Sequence, residues 1–155
     1  MSRYTDGKYL LQNPGWHTQD ATWKLSHVLQ AVKKARLSPR AVLDAGCGAG
    51  ALINHWACHR PDMLFTGCDI SPQAISIAKQ HAPANVNFFC EAWAKGSFDT
   101  ALAIDVVEHI PDMERFLEEL AQKAPVLILH IPLDLSFRTL IKPEILEEEY
   151  QTVGH

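Results

Sequence analysis

The sequence predicts a three-layer α/β fold in which a parallel β-sheet carries helices on both faces. Short apolar segments alternate with amphipathic ones between residues 40 and 131. Such an alternation of strands and helices is typical of parallel sheets with helical crossovers. The chain has 155 residues, of which 47% are hydrophobic, so it can build one core and one such domain.

A helix is predicted before the sheet. It begins at Asp20 or Thr22, either of which can cap it, and ends near Arg36. We therefore divide the chain into an N-terminal cap segment with its helix, residues 1–38, and a sheet domain, residues 39–155. The apolar side of the helix is expected to include Trp23, Leu25, Val28, Leu29, Val32 and Ala35.

The sheet domain is predicted to contain five strands with helices between them. Ser71 caps one of these helices, and Pro72 suits its first turn. The strands are predicted at residues 40–44, 64–69, 86–90, 98–104 and 126–131. The helices are predicted from residue 48 or 50 to 60, from residue 71, at 111–123 and at 142–150. The buried face of the 111–123 helix is expected to carry Met113, Phe116, Leu117 and Leu120.

The charge and cysteine content set limits on the class of protein. The net charge is -4 with neutral histidines, which gives no electrostatic reason to expect a nucleic-acid partner. No apolar run reaches the ~18 residues of a membrane span, and the N-terminus has no apolar signal core. The cysteines form no C-x-x-C pair, and we expect reduced, buried thiols in a cytoplasmic protein. They are Cys47, Cys58, Cys68 and Cys90.

Ligands of parallel sheets bind beyond the carboxyl ends of the strands, so the strand-end residues carry the functional prediction. The first strand runs into V42-L-D-A-G-C-G-A-G50, whose glycines can adopt positive φ and let a ligand approach the backbone. This loose glycine pattern also fits a dinucleotide site. Asp44 instead favours a cofactor that bears an amino acid, because a carboxylate repels a pyrophosphate and attracts an ammonium group.

The second and fourth strands also end in acids. Asp69 ends the second strand and can accept hydrogen bonds from both hydroxyls of a ribose. NAD enzymes share this feature, so Asp69 alone does not separate the two kinds of cofactor. The fourth strand ends at Asp105, and Glu108 and His109 follow it closely.

Three ordered motifs resemble those of class I S-adenosylmethionine-dependent methyltransferases, whose sheet is Rossmann-like. They are V42-L-D-A-G-C-G-A-G50, G67-C-D-I-S71 and F98-D-T-A-L-A-I-D-V-V-E-H-I-P-D112. In addition, N13-P-G-W-H-T-Q-D-A-T-W-K24 is similar to an N-terminal segment that helps to cover the cofactor in some of these enzymes. The resemblance covers about residues 40–131 and implies S-adenosylmethionine as the cofactor.

The resemblance also implies a set of cofactor-binding positions. Asp44 would lie near the methionyl ammonium, directly or through water. Asp69 would hold the ribose hydroxyls, and Ile70 would pack on the adenine. Asp105 would lie beside the methyl donor. The whole implied set is Asp44, Gly46, Cys47, Gly48, Asp69, Ile70, Glu91, Ala92, Asp105 and Val106.

His109 is the candidate catalytic residue, because a histidine titrates near neutral pH and suits proton abstraction. The alternative is a structural histidine that orders the turn before Pro111. A second alternative comes from the resemblance, since some O-methyltransferases bind a divalent metal through a cluster such as Asp105, Glu108 and His109. We expect no metal here.

Two further groups of residues leave alternatives open. Trp16, His17 and Trp23 either line the cofactor site or pack against the sheet. His55 and His59 have the i, i+4 spacing of metal ligands on a helix, and Cys58 lies beside them. Because no further ligand accompanies them, we expect no metal at this helix. His59 and Arg60 lie in its last turn, where cations suit the helix dipole.

The sequence therefore predicts an S-adenosylmethionine-dependent methyltransferase that acts on a small molecule by direct methyl transfer. The alternatives are a non-catalytic cofactor-binding fragment, a partner-docking domain and, less favoured, an NAD-dependent oxidoreductase. The family sheet has seven strands, and we expect this chain to lack the last two. Strand five would then be an open edge, and we expect the chain either to form a homodimer through this edge or to be marginally stable alone.

Overall fold

Residues 20–132 are described by a computed structural model of the chain. They form four α-helices, five strands and one short 3-10 turn. The helices are α1 (Ala21–Lys34), α2 (Ala51–His59), α3 (Pro72–Gln80) and α4 (Met113–Ala121). The strands are β1 (Ala41–Ala45), β2 (Leu64–Cys68), β3 (Val86–Phe89), β4 (Thr100–Ile104) and β5 (Val126–His130). The 3-10 turn spans Val107–His109 and follows β4 directly.

The five strands form one parallel sheet in the order β3-β2-β1-β4-β5. The chain first builds outward from β1 through β2 to β3, and then returns to the other side of β1 with β4 and β5. The strand order therefore reverses between β1 and β4, which is where parallel sheets bind their ligands. Asp44 is paired with Gly67 on β2 and with Leu102 on β4 in the register.

Two hydrophobic cores lie on opposite faces of the sheet. The central strand supplies both, since Val42 belongs to one core and Leu43 to the other, as the alternation of side chains along a strand requires. Helices α1, α2 and α3 cover the first face, where Trp56 packs on Phe65 with ring centroids 5.4 Å apart. Helix α4 covers the second face through Leu120. The predicted three-layer architecture is confirmed.

The predicted apolar faces of α1 and α4 are partly wrong. In α1 the buried stripe runs through Ala21, Leu25 and Val28, whereas Trp23 is 57% exposed and Leu29 is 42% exposed. These two side chains lie outside the i, i+4, i+7 stripe that faces the sheet. Met113 is also exposed, and it is the first residue of α4.

The helix starts are set by local capping. Helix α2 begins after Gly50, which adopts a left-handed conformation at the N-cap. Helix α3 is capped as predicted, since the Ala74 N–H donates to Ser71 Oγ over 3.3 Å. Helix α4 begins two residues later than predicted, because Asp112 rather than the residue before it caps the first turn. The Arg115 N–H donates to Asp112 Oδ1 over 3.2 Å.

All four cysteines are free thiols, but only Cys68 is fully buried. The expectation of buried thiols is wrong for Cys58 and Cys90, which are exposed. Cys58 lies in the last turn of α2, and Cys90 follows the last residue of β3. Within residues 20–132, no helix combines the length and apolar character needed to cross a membrane. The predicted cytoplasmic location and the division of the chain at residue 38 stay predictions.

Two predictions fall outside the described residues. The last helix, expected at residues 142–150, lies there, and so does the stretch on which the expected loss of two strands depends. Trp16 and His17 also lie outside residues 20–132. Within the described part of the chain, β5 is an edge strand that pairs with β4 alone.

Candidate functional site

The glycine turn after β1 lies at the carboxyl edge of the sheet and is pinned to β2. The N–H groups of Gly46 and Cys47 both donate to the Cys68 carbonyl oxygen, over 2.8 and 3.0 Å. Gly46 has a φ of +75°, and a Cβ at this position would lie 2.5 Å from a methyl of Val106. The turn therefore needs glycine both for its backbone conformation and for its close approach to the segment after β4.

Phe88 on β3 supports the turn from behind. A Cβ at Gly50 would lie 2.4 Å from the Phe88 ring, and a Cβ at Gly67 would lie 2.6 Å from it. The ring thus occupies the space that the two missing side chains would fill. This packing fixes the turn against β2 and the start of α2.

The Asp69 carboxylate connects the glycine turn to the start of α3. The Gly48 N–H donates to its Oδ2 over 2.9 Å, and the Ser71 N–H donates to its Oδ1 over 2.8 Å. Burial raises the pKa of Asp69, while the backbone N–H groups of Ser71, Gly48 and Ile70 lower it. Each carboxylate oxygen has a second lone pair, so Asp69 can still accept hydrogen bonds from two hydroxyls.

Asp44 is a buried carboxylate at the end of β1, with a side chain only 3% exposed. Burial, together with the nearby Asp69 charge, raises its pKa to about 7. Within residues 20–132, neither an ion pair nor a hydrogen bond compensates this carboxylate. A bound cation would stabilise its ionised form and lower the pKa. The same burial raises the pKa of the adjacent Cys47 thiol, which keeps that sulfur neutral and unreactive.

Asp105 follows β4 and has a positive φ of 55°, which is rare outside glycine. Its Oδ2 lies 2.6 Å from Lys24 Nζ on α1, and its Oδ1 lies 2.5 Å from His130 Nδ1 at the end of β5. Burial raises the pKa of Asp105, but the hydrogen bonds from Lys24 and His130 outweigh burial and hold the pKa below its usual value. The carboxylate therefore joins α1, β4 and β5 at the switch point.

The positions expected to meet the adenine lie at one side of the turn and are open to solvent. Ile70 is 46% exposed although it follows a buried strand. Glu91 and Ala92 are also exposed, in the irregular segment after β3. An exposed apolar side chain beside Asp69 offers a surface on which a planar ring can pack.

His109 ends the 3-10 turn, and its N–H donates to the Val106 carbonyl oxygen over 2.9 Å. Its backbone thus orders the segment that carries Asp105 and Val106. Among residues 20–132, no three or more His, Cys, Asp or Glu side chains are grouped so that they could hold a metal ion. Asp105 and Glu108 therefore belong to no such group. Neither do His55 and His59, whose rings lie 5.2 Å apart.

Two residues of this region, Lys24 and His130, were not predicted as site residues. His130 ends the fifth strand, so the strand-end rule that found Asp44, Asp69 and Asp105 would also have found it. Lys24 closes the N-terminal segment that resembles a cofactor-covering segment of the family, but it ends no strand, and a lysine on a helix is most often solvated. Its role depends on how α1 lies across the sheet.

Comparison with known proteins assigns the family. Residues 43–124 match the profile of the family described as Methyltransferase domain. The chain belongs to this methyltransferase family. The matched range contains the glycine turn, Asp69 and Asp105. The resemblance to class I S-adenosylmethionine-dependent methyltransferases is confirmed, and so is S-adenosylmethionine as the cofactor.

Curated relatives of this methyltransferase domain include enzymes that modify nitrogen and oxygen. This chain is 35% identical over 113 residues to ajmaline N-methyltransferase of Rauvolfia serpentina. The alignment covers 63% of this chain and 38% of the relative. The chain is also 31% identical over 120 residues to a ubiquinone biosynthesis O-methyltransferase of Coxiella burnetii. That alignment covers 68% of this chain and 50% of the relative. The chain thus spans half or less of the length of these two relatives.

Solved methyltransferases share the fold of this domain. The plantazolicin methyltransferase BamL was solved with a triazolic desmethylPZN analogue and S-adenosylhomocysteine (SAH). It matches with a TM-score of 0.59 and 21% identity, over 77% of this chain and 46% of its own. A coclaurine N-methyltransferase bound to N-methylheliamine and SAH matches with a TM-score of 0.59 and 22% identity over 71% of this chain and 36% of its own.

The residues present fit the methionine-bearing cofactor of the family. Asp44 is a buried acid that lacks a compensating cation within residues 20–132, and Asp69 offers free lone pairs next to a close-approach glycine turn. These two hydrogen-bond acceptors suit an ammonium group and the hydroxyls of a ribose. They do not suit a pyrophosphate at the glycine turn, because the Asp44 carboxylate would repel it.

Proposed function

We propose that this methyltransferase domain transfers a methyl group directly from S-adenosylmethionine to a small molecule. The observation that carries the proposal is the pair of acids, Asp44 and Asp69, on either side of a glycine turn at the switch point of the sheet. Asp44 is buried and lacks a cation within residues 20–132. Asp69 accepts hydrogen bonds from backbone N–H groups and directly precedes Ile70, an exposed apolar residue. This pattern matches the two ends of an amino-acid-bearing nucleoside.

The chain's own residues would bind and align the cofactor rather than react with it. When bound, the cofactor supplies a methyl group that its sulfonium already makes electrophilic. Asp44 would bind the ammonium, Asp69 the ribose hydroxyls, and Ile70 one face of the adenine. Val106 would lie against the glycine turn and close the site beside Asp105. Alignment and exclusion of water are then the main contributions of the protein to the rate.

The relatives support a small-molecule acceptor. Their names identify ajmaline N-methylation and the O-methylation of ubiquinone biosynthesis, both of which act on small organic molecules. Because one relative modifies nitrogen and the other oxygen, they support the acceptor class but not the acceptor atom. The weakly acidic chain, with a net charge of -4, also disfavours a nucleic-acid acceptor.

A methyl-transfer screen tests the proposal. The chain is incubated with S-[methyl-³H]adenosylmethionine and a panel of catechols, other phenols and secondary amines, and the transferred label is extracted and counted. We expect transfer to at least one acceptor class, and its loss in an Asp69→Asn variant. Binding of SAH without transfer to any acceptor of the panel would contradict the proposed activity.

A second candidate function is a cofactor-binding module that docks a partner without turnover. It is favoured by strand β5, which is a sheet edge within residues 20–132 and leaves Leu129 and Ile131 exposed. Such an edge can pair with another strand. The same screen separates the two functions, because this module would bind SAH but transfer no label.

A further inference from the structure

A histidine that the proposed function does not use lies beside the proposed methyl donor site. His130 ends β5, is paired in register with Ile104, and so lies next to Asp105. The segment after Asp105 reaches the glycine turn, since Val106 contacts the open face of Gly46. A continuous chain of contacts therefore links His130 to the turn that would hold the cofactor.

Asp105 fixes the protonation pattern of the His130 ring. An ionised carboxylate can only accept hydrogen bonds, so His130 Nδ1, which lies 2.5 Å from Asp105 Oδ1, carries the proton. The other carboxylate oxygen is paired with Lys24, which favours the ionised form. The neutral imidazole then has its lone pair on Nε2, the arrangement in which a carboxylate orients a histidine base.

The surroundings hold the ring in place without enclosing it. The Trp23 ring meets the His130 ring edge to face, with centroids 5.8 Å apart. The His130 side chain remains 25% exposed. The charged groups that face it are Asp105 from β4 and Lys24 from α1, and His27 lies on the other side of Trp23.

We propose that His130, oriented by Asp105, is the base that accepts the proton from the hydroxyl group of the methyl acceptor. This inference rests on the proposed methyl transfer. In the step, the bond between sulfur and the methyl carbon breaks, and its electron pair stays on sulfur. A bond forms between the methyl carbon and the acceptor oxygen, and the hydroxyl proton passes to His130 Nε2. The products are a methyl ether, SAH and an imidazolium, which Asp105 stabilises.

The base also narrows the class of acceptor. A phenol must lose a proton to become a good nucleophile, whereas a neutral amine already has a lone pair on nitrogen. A histidine held in this way is therefore of most use to an acceptor with a hydroxyl group. Asp105 and Lys24 are positioning residues in this scheme, since they act through the ring.

The test compares wild type with His130→Gln on catechol and on 4-nitrocatechol. At about pH 8, catechol keeps its protons, whereas 4-nitrocatechol is ionised and needs no base. We expect His130→Gln to lower kcat about 100-fold or more with catechol and less than about threefold with 4-nitrocatechol. The affinity for SAH, measured by calorimetry, should stay within about twofold. His55→Gln, on the exposed side of α2, is the matched control and should keep both activities.

The outcomes separate this inference from the proposed function. Equal losses with both catechols would indicate a structural role and overturn the inference, as would full activity of His130→Gln on catechol. The selective loss in His109→Gln instead of His130→Gln would also overturn it, and so would wild-type transfer to amines alone. Wild type that binds SAH but transfers to no acceptor overturns the proposed function itself, and this inference with it.

A second variant covers the case in which His130→Gln does not fold, as judged by circular dichroism. Asp105→Asn keeps the size of the side chain but removes the charge that orients the ring. Because Asp105 also lies at the proposed cofactor site, kcat is measured at saturating cofactor. We expect it to fall by a larger factor with catechol than with 4-nitrocatechol. Loss on neither acceptor, or on both equally, would overturn the inference.

Discussion

Asp44 has a pKa of about 7 because it is buried and lies near the Asp69 charge. In the unfolded chain its pKa is near 3.8, so the folded state binds the proton more tightly. Asp44 therefore stabilises the folded state only through its protonated form. This stabilisation is fully present below the unfolded pKa and is lost as the pH rises through about 7.

An Asp44→Asn variant should therefore be more stable than the cofactor-free wild type at alkaline pH. We expect a gain of about 2–4 kcal/mol in the free energy of unfolding at about pH 8 and little difference at about pH 4. Urea unfolding at the two pH values measures this gain.

Asp62→Asn is the matched control, because this acid is exposed and its pKa is lowered to about 2 by Arg60. It is ionised at both pH values, so its effect should not differ between them. A stability difference for Asp44→Asn that is the same at both pH values would contradict the buried-acid account.

At the residue scale, the acids of the site could be predicted from the sequence, but the residues that pair with them could not. Asp44, Asp69 and Asp105 could be predicted because each ends a strand, and strand ends of a parallel sheet meet at one edge. The partners of these acids could not be predicted. Lys24 pairs with Asp105 only because α1 crosses the face of the sheet near β4 and β5, and nothing local to either residue encodes that crossing.

At the element scale, the glycine turn needs glycine at Gly50 for two separable reasons, the backbone conformation and the space that a side chain would take. Gly96, in the segment between β3 and β4, needs glycine for the first reason only. Gly50 has a φ of +71°, and a Cβ there would lie 2.4 Å from the Phe88 ring. Gly96 has a φ of +114°, but a Cβ there would meet its first neighbour, Phe98, only at 3.9 Å. Both positions carry backbone strain when substituted, and only Gly50 adds a steric clash.

Gly50→Ala should consequently destabilise the domain more than Gly96→Ala. We expect about 1–2 kcal/mol from backbone strain in each variant and about 1–3 kcal/mol more from overpacking in Gly50→Ala. Thermal unfolding followed by circular dichroism compares the two. Equal losses would show that Phe88 yields to the new side chain and does not support the turn.

Helix α1 provides a second comparison at this scale. The pattern alone placed Leu25 and Leu29 on the same apolar face, yet Leu25 is 5% exposed and Leu29 is 42% exposed. A 14-residue helix with apolar residues around more than half of its circumference does not specify which stripe meets the sheet. That choice depends on packing against α2 and on the ion pair from Lys24 to Asp105.

Leu25→Ala should cost about 2–5 kcal/mol in the free energy of unfolding, because it leaves a cavity in the core. Leu29→Ala should cost less than about 1 kcal/mol, since most surface substitutions have small effects. Urea unfolding of the two variants gives both values. The reverse order would mean that α1 packs with another face toward the sheet.

At the scale of the whole molecule, the sequence was enough to predict a parallel sheet with a switch point. It was not enough to predict the state of assembly. Alternating strands and helices favour a parallel sheet with one switch point, and the sheet has that form. The state of assembly depends on what pairs with the β5 edge, which is either chain outside residues 20–132 or a second molecule.

The predicted homodimer through the β5 edge can be measured directly. Light scattering on the purified chain should give twice the mass of 17.3 kDa. A Leu129→Lys substitution, which adds a charge to the exposed edge strand, should convert the dimer to a monomer. A wild-type chain that is a stable monomer at all concentrations would contradict this prediction.

The central claim is that the glycine turn with Asp44 and Asp69 binds S-adenosylmethionine and not a dinucleotide. Isothermal titration calorimetry of the chain with SAH and, separately, with NAD tests it. We predict saturable binding of one SAH per chain, no detectable heat with NAD, and at least about tenfold weaker SAH binding in Asp69→Asn. Asp62→Asn should bind SAH as wild type does. Binding of NAD, or undiminished SAH binding by Asp69→Asn, would contradict the account.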